Sequence, residues 1–370
     1  MRLKFFVAAI ALIMSSMPSH AYSRWVCNHG AETMDVRHIV PAALVRISED
    51  SFAIPMERNA INRGIDITNT NPSTFEILSM NETGDVGYGN DQNEIFAEPI
   101  DAIGEARMEM VCLGPYIADL ISIGGVIAEV DIVINSDETS WHWGNWKSQN
   151  VLYGGNMNPL DTVIVHEAGH LLGLAHVATE YNVMGSAWSH MHTNGKEGRV
   201  YFGEDAGHGA RALYGAQQDP FNDLSVSHWR YFGSDGEYST HSRTRMFDAS
   251  GNQLPSAVVN AEPVYSVTPG QTIKAEFTVE NNGKTNINDV MFGFYISDND
   301  TISKSDRKVT WASLPVLNPA DVLTRTFTIT IPSDLTPQTN YWLGIIIDDD
   351  NSVTEVTGKN NATYIGFRTN

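Results

Sequence analysis

The stretch HEAGHLLGLAH, residues His166–His176, decides how this sequence is interpreted. Its first two histidines, His166 and His170, are four positions apart, so on a helix they lie on one face, one turn from each other. Two neutral imidazoles in that arrangement can bind one zinc ion. Glu167 lies near the same face, where its carboxylate can take a proton from water. The pattern therefore predicts metal-assisted hydrolysis with Glu167 as the general base.

The third histidine, His176, separates a catalytic zinc site from a structural one. It lies six residues after His170, about 240° further round a continuous helix, where it would face away from the metal. Gly173 can adopt a left-handed conformation that ends the helix and turns the chain back. Three protein ligands leave the fourth zinc position open, as in catalytic sites. The competing interpretation is a surface helix with incidental histidines, which the apolar residues between the ligands disfavour.

Helix and strand patterns are mixed on the N-terminal side of this stretch. Helical periodicity covers Asp161–Leu174, and a second helical stretch, Pro55–Arg63, begins with a proline that suits the first turn. Strand patterns cover 35–50, Ser73–Met80 and, most clearly, the β-branched run Val126–Asn135. These elements predict an α+β domain.

The pattern HExxHxxGxxH, here His166–His176, resembles the zinc-binding motif of the metzincin endopeptidases. These families add a methionine turn beneath the metal, and the segment YNVMG (Tyr181–Gly185) lies at a suitable distance along the chain. The resemblance implies that Met184 supports the histidines as an apolar contact. It also implies a twisted mixed sheet, an active-site helix below a cleft, one catalytic zinc ion, and protein or peptide substrates.

Among the metzincins, the catalytic region is most similar to the matrixins. Ser186 stands two positions after Met184, where astacins and serralysins carry a metal-binding tyrosine, so no fifth protein ligand is implied. The early helix, the strand Glu129–Asn135 and the closing segment Glu204–Gly215 follow one another as they do in matrixins. The resemblance covers residues 35–216, which we expect to form the peptidase domain.

The chain has 370 residues and a net charge of −21, from 23 lysine and arginine against 44 aspartate and glutamate residues. This acidic balance argues against sequence-independent nucleic-acid binding, which needs a basic face, and against docking on anionic membranes. The length is enough for two domains with cores of their own. We therefore expect no nucleic-acid partner and no membrane span.

The first residues have the features of a secretory signal. A short basic start precedes an apolar run, Phe5–Met14, that is too short to span a bilayer, and Ser19–Ala21 offers small residues at the cleavage positions. We expect residues 1–21 to be removed and the protein to be secreted, either extracellular or periplasmic in a Gram-negative host. Residues 22–34 would then form a short N-terminal segment. The alternative is an N-terminal anchor.

Cys27 and Cys112 are the two cysteines of the chain. In an oxidising compartment, an even pair most simply forms one disulfide, which would tie the N-terminal segment to the body of the first domain. The alternative is that one thiolate caps the metal and keeps an enzyme latent.

Short strand patterns, separated by Asn, Asp, Gly and Pro, dominate the last third of the chain. They cover Ile273–Glu280, Val290–Ile296, Thr324–Ile331 and Tyr341–Ile347. They predict an all-β, Ig-like sandwich over residues 258–370. Residues 217–257 are expected to be a polar connector.

Three stretches of this region resemble the bacterial cell-adhesion-related CARDB domain. They are FTVENNG (277–283), FYISD (294–298) and IDDDNSVTE (347–355). The resemblance implies an accessory β-sandwich that binds a surface, a glycan or the substrate protein.

Some polar residues admit two interpretations. His142, between two tryptophans, belongs to an aromatic cluster or else lines the cleft or binds a second metal. His190 and His192 line the substrate pocket or lie in a solvated loop. Six aspartates offer the hard oxygen ligands that structural calcium uses, but they lack an EF-hand pattern, so turn formation is the better interpretation. These aspartates are Asp298, Asp300, Asp306 and Asp348–Asp350.

The interpretation that best fits these features is a secreted zinc endopeptidase with an accessory sandwich. One alternative is an extracellular adhesin or binding protein whose zinc domain is a non-catalytic scaffold. Glu167 argues against it, because a non-catalytic site has no use for a base at that position. Another alternative is a zinc-dependent hydrolase of a non-peptide bond, which the metzincin motif disfavours.

Overall fold

The structure is a computed structural model. It describes residues 22–29, 32–84, 86–177, 183–185, 191–218, 221–231 and 242–370. The expected signal, residues 1–21, lies outside these ranges. Within them, no helix is long and apolar enough to cross a membrane. The buried apolar side chains form one large core in each half of the chain.

The first half combines helices with one large sheet and several short strand pairs, which confirms the α+β class. Its strands are β1 (Ser23–Arg24), β2 (Val26–His29), β3 (Glu32–Arg37), β4 (Ala42–Ser48), β5 (Glu76–Glu82), β6 (Asn93–Glu98), β7 (Gly104–Cys112), β8 (Gly125–Asn135), β9 (Trp141–His142), β10 (Asn158–Pro159), β11 (Leu174–Ala175), β12 (Met191–Asn194) and β13 (Glu197–Val200). Its helices are α1 (Pro55–Thr68), α2 (Pro115–Ile121), α3 (Leu160–Leu171) and α4 (Glu204–Tyr214).

The large sheet is mixed in strand direction. Its order is β2-β3-β8-β6-β4-β5, with β7 also paired to β8. Strands β4, β5, β6 and β8 are parallel, whereas β7 runs antiparallel to β8. The predicted strand Val126–Asn135 is confirmed as β8, which is almost wholly buried. Burial on both faces accounts for its nearly continuous run of apolar residues.

The helices α1 and α3 pack closely against each other in this core. Pro55 is the first residue of α1, as predicted, and the helix extends to Thr68. A Cβ atom added to Gly64 of α1 would lie 2.6 Å from the Ile164 side chain of α3, so only glycine permits this approach. The contact fixes the position of the helix that carries His166.

The single strand predicted over 35–50 is wrong. The structure has two strands there, because β3 ends at Arg37 and β4 begins at Ala42. Strand β3 pairs with β8, whereas β4 pairs with β5 and β6, so the chain must cross to another position in the sheet. Pro41 lies in this gap and has no N–H to donate to a strand ladder.

The second half is all β and forms two facing sheets. Its strands are β14 (Leu224–Ser227), β15 (Met246–Asp248), β16 (Ser256–Val259), β17 (Glu262–Val267), β18 (Thr272–Asn281), β19 (Ile287–Ser297), β20 (Arg307–Leu317), β21 (Val322–Thr330), β22 (Asn340–Ile347) and β23 (Ala362–Thr369). In one sheet, β18 pairs with β14 and β15 along one edge and with β21 along the other. The second sheet has the order β16-β17-β23-β22-β19-β20. Phe277 from the first sheet contacts Phe294 from the second, with ring centroids 6.4 Å apart.

The stretch 217–257, expected to be a connector, contributes strands to this sandwich. Strands β14 and β15 both pair with β18, and β16 pairs with β17. Leu224, Val226 and Met246 are fully buried in the sandwich core. These strands are only three or four residues long, so the sequence carries too short a pattern to mark them.

The two halves contact each other through polar groups that are buried or half-buried. The Lys147 ammonium of the first half forms ion pairs with Asp300 (2.8 Å) and Glu262 (3.0 Å), and it donates to the Tyr364 hydroxyl. The Thr363 hydroxyl donates to the carbonyl of Thr193 in β12, at 2.9 Å. A half-buried cation that carries two carboxylate partners resists separation of the halves, because each half would be left with unpaired charge.

Candidate metal centre and cleft

Helix α3 and the turn after it bring three histidines together. His166 and His170 share one face of α3, and the helix ends at Leu171. Gly173 follows with a φ of +91°, the left-handed conformation expected for it, and the chain turns back into β11. His176 thereby returns to the same face. Its Nε2 atom lies 3.0 Å from Nε2 of His166 and 3.1 Å from Nε2 of His170.

Backbone carbonyls set the tautomer of two of these imidazoles. Nδ1 of His166 lies 2.7 Å from the Val183 carbonyl, and Nδ1 of His170 lies 2.8 Å from the Leu174 carbonyl. A carbonyl only accepts, so each Nδ1 carries the hydrogen and each Nε2 keeps its lone pair. Burial lowers the pKa of His166 to about 4 and that of His170 to about 3. Both imidazoles are therefore neutral at neutral pH.

The three residues fit a zinc ion. Nitrogen lone pairs directed at one point repel one another unless a cation lies between them. Tetrahedral zinc with Zn–N bonds of about 2.0–2.1 Å holds its ligand nitrogens about 3.3 Å apart, which is close to the separations found here. In the described ranges, these histidines are the one group of three or more metal-type side chains near enough to share an ion.

Glu167 is buried at the edge of the cleft beside the histidines. Burial is the main cause that raises its pKa, to about 8, and the Glu105 charge adds to this effect. A backbone hydrogen bond from Ala106 of β7 acts in the opposite direction and orients the carboxylate. A divalent cation beside Glu167 would also favour the ionised form.

A cleft of about 760 Å³ opens over this group. Its walls are Trp25, Ala102, Ile103, Gly104, Glu105, Ala106, Thr162, Val163, His166, Glu167, His170, Ala175, His176 and Gly185. Strand β7 forms one rim, and among the described strands it pairs only with β8, so its other edge is open.

Gly104 was not predicted as a site residue. A Cβ atom there would lie 2.5 Å from the Val163 side chain and 3.2 Å from Oε1 of Glu167, so glycine lets β7 lie directly beside α3. No motif in the sequence marks this glycine.

Met184 packs against α3 at Gly169, and its support of the histidines stays a prediction. Its side chain is buried, and a Cβ atom on Gly169 would collide with its sulfur. Gly169, between the first two histidines, thus leaves room for Met184 under the helix. The amide of Val177 donates to the Met184 carbonyl at 3.0 Å, which ties this turn to the residue after His176. Tyr181, Asn182 and Ser186 lie outside the described residues.

Comparisons with known families agree with this geometry. Residues 117–215 match the Matrixin family model, and residues 255–364 match the CARDB family model. The chain carries a matrixin-like region and a CARDB domain. The Matrixin match contains all three histidines and Glu167, and at the level of the family it supports a zinc metalloprotease.

Similarity to solved structures is distant. The crystal structure of a CARDB domain from Pyrococcus furiosus, in complex with di-metal ions, is 17% identical, covers 40% of this chain and 90% of that chain, and has a TM-score of 0.25. The sporulation control protein Spo0M from Bacillus subtilis is 12% identical, with coverage of 28% and 44% and a TM-score of 0.20. No curated protein matches the chain. The relation of the two regions to known families therefore rests on the Matrixin and CARDB matches.

Cys27 and Cys112 form a disulfide in the matrixin-like half, with their Cα atoms 5.7 Å apart. The bond joins β2 to the end of β7. Neither cysteine offers a free thiolate to the histidines in this state, so the alternative of a thiolate cap on the metal does not describe the structure.

Two of the weaker histidine candidates, His142 and His192, lie away from the cleft, and His190 lies outside the described residues. His142 is buried and is not among the residues that line it. His192 is also buried: Nδ1 lies 2.9 Å from the Val226 carbonyl, and Nε2 lies 3.5 Å from Glu280 of the CARDB domain. His192 therefore neither lines the substrate pocket nor lies in a solvated loop. Sequence reasoning missed this role because the partners are distant along the chain.

Four of the six aspartates, Asp300, Asp306, Asp348 and Asp349, have protein partners, which favours the turn interpretation over calcium for them. Oδ1 of Asp348 accepts from the amides of Ser352 and Val353, and Asp306 accepts from the amide of Ser303. Asp349 forms an ion pair with Lys308.

Proposed function

We propose that this chain is a secreted zinc-dependent endopeptidase, with its peptidase domain over residues 35–216 and an accessory sandwich that runs from β14 to β23. The observation that supports this best is the convergence of three imidazole Nε2 atoms beside a buried glutamate, at the floor of an open cleft. The expected signal over residues 1–21 supports secretion.

The chain's own residues would divide the work in the following way. His166, His170 and His176 would hold the zinc ion through Nε2, while the Val183 and Leu174 carbonyls keep two of the rings oriented. When bound, zinc supplies Lewis acidity that polarises the scissile carbonyl and makes water more acidic. Glu167 takes the proton from water and passes it to the leaving amine.

The rim of the cleft suits an extended peptide. Strand β7 has an open edge beside Glu167, and a substrate backbone can add to such an edge as a further strand. Backbone pairing recognises any peptide, so the side-chain preference must come from the other walls.

The metzincin fold and a surface- or glycan-binding role for the CARDB domain belong to this proposal.

Cleavage of casein and of a quenched peptide library by the purified chain, with and without a zinc chelator, tests the proposal. The matched control is Glu167→Gln, which changes one atom of the carboxylate. Cleavage that the chelator abolishes and the variant lacks would support it. One zinc per chain with no cleavage in either assay would favour the adhesin alternative.

A further inference from the structure

The N-terminal segment, residues 22–29, forms part of the cleft. Its first strand, β1, pairs antiparallel with β11, so that Ser23 lies opposite Ala175 and Arg24 lies opposite Leu174. Strand β11 is the short link between His170 and His176. The next residue, Trp25, lines the same cleft as His176 and Glu167.

The backbone of Trp25 is held on both sides. Its amide donates to the Gly173 carbonyl at 3.1 Å, and its carbonyl accepts from the Val36 amide at 2.9 Å. These bonds connect it to the turn that orients His176 and to the central sheet. The side chain is 39% exposed, so a fixed backbone presents a large apolar surface to the cleft.

Further contacts anchor the segment at each end. Tyr22 packs on α4, where a Cβ atom on Gly209 would lie 3.1 Å from its own Cβ. Arg24 forms an ion pair with Asp35. Cys27 is bonded to Cys112, the last residue of β7. The disulfide thus joins the strand beside Trp25 to the strand whose other end forms the opposite rim of the cleft.

The chemistry of the walls indicates what Trp25 would contact. Its neighbours in the cleft include Ala102, Ile103 and Ala175, and among the described lining residues the charged groups are Glu105 and Glu167, with no lysine or arginine. An apolar substrate side chain gains by covering the indole, whereas an acidic one finds no cationic side chain to pair with among these lining residues.

We propose that Trp25 is a specificity residue that selects an apolar or aromatic side chain at one position of the peptide substrate, and that the Cys27–Cys112 disulfide holds it in place. This inference rests on the proposed peptidase function, since it assigns a substrate preference to the same cleft.

A position-resolved peptide library tests the inference on the full chain. Trp25→Ala should lower kcat/KM about tenfold or more for peptides with Phe or Leu at one position, and leave peptides with Gly there unchanged. Trp25→Phe should restore most of the preference. The control is Val26→Ala, which alters the neighbouring exposed residue outside the cleft and should keep the wild-type profile.

Two results would overturn the proposal. One is an unchanged profile in Trp25→Ala. The other is an equal loss in Val26→Ala, which would indicate a general effect of the strand. The double variant Cys27→Ser with Cys112→Ser should weaken the same preference with zinc content unchanged, and a wild-type profile there would remove the disulfide from the proposal.

Peptide binding to Glu167→Gln separates this inference from the proposed function, because binding needs no turnover. If the wild-type chain cleaves nothing, the proposed function fails. Binding of apolar peptides that Trp25→Ala abolishes in the Glu167→Gln background would still support the role of Trp25. Equal binding with and without the indole, or none at all, would overturn it.

Discussion

Two groups of buried or half-buried histidines in this molecule have the same contact at one ring nitrogen and differ at the other. In His166 and His170 of the cleft, and in His192 and His228 near the CARDB domain, Nδ1 faces a backbone carbonyl. In the cleft, Nε2 faces the Nε2 atom of His176. Near the CARDB domain, Nε2 faces Glu280 or the Arg243 guanidinium, the latter at 2.6 Å.

The difference shows that neither burial nor tautomer identifies a metal ligand. In His228, the Nε2 lone pair accepts from a guanidinium and so cannot bind an ion. In His192, Nε2 faces a carboxylate, which favours the protonated ring that has no free lone pair there. Only a group of nitrogens that face one another needs an ion to relieve their repulsion. The environment of Nε2 therefore separates the metal-binding histidines from those that join the two halves.

Removal of a ligand should give the largest effect. His170→Ala is expected to lower zinc content from one per chain to nearly none, and to reduce cleavage by roughly a thousandfold or more, because the Lewis acid is lost. Elemental analysis and peptide turnover measure the two quantities. His192→Ala should keep its zinc. Equal zinc loss in both variants would contradict the distinction between the groups.

Glu167→Gln should reduce kcat by about 10²–10⁴-fold, as expected for loss of a general base, while zinc content stays at one per chain. The comparison is Glu105→Gln, which neutralises the other carboxylate in the cleft and should cost less than about tenfold in kcat. Similar losses from both variants would show that the cleft needs negative charge and not a base at position 167.

His192→Ala should destabilise the protein without affecting zinc. The change leaves Glu280 buried without its imidazole partner, so we expect the free energy of unfolding to fall by about 2–4 kcal/mol. Denaturant unfolding of the zinc-loaded protein measures this. An unchanged unfolding midpoint would show that the contact between His192 and Glu280 contributes little.

The smallest expected effect is the pH dependence of the stabilisation by the His192–Glu280 contact. Burial alone would lower the pKa of His192, but the Glu280 carboxylate, the Val226 carbonyl and the Asp223 charge together raise it above 6.5. A raised folded-state pKa gives stability that is complete below the unfolded value of 6.5 and is lost as pH rises through the folded value. The difference in Tm between wild type and His192→Gln should therefore be larger at pH 6 than at pH 9. A difference that grows with pH would reverse this assignment.

Local patterns predicted the parts of the site that depend on local geometry. The spacing of His166 and His170 requires only the helical repeat, and the role of Gly173 follows from its freedom at positive φ. The strand Val126–Asn135 was recognisable because it is buried along most of its length. These features lie within a few residues of the signals that reveal them.

Features that depend on distant partners could not be predicted in this way. Gly104 matters because of Val163, and His192 matters because of Glu280. Strands β14 and β15 are too short to show a period, and they exist because β18 offers them hydrogen bonds. In each case, the physical cause lies on another element and leaves no local pattern.

The placement of Lys147 between Asp300 and Glu262 has a consequence for how the proposed peptidase would reach its targets. A module on a loose tether samples a volume, and its effective concentration depends on tether length. A module held by half-buried ion pairs instead keeps a fixed distance from the cleft. A target bound by the CARDB domain would be held at one distance and angle from the cleft. Only peptide bonds at that distance from the bound site would then be cut.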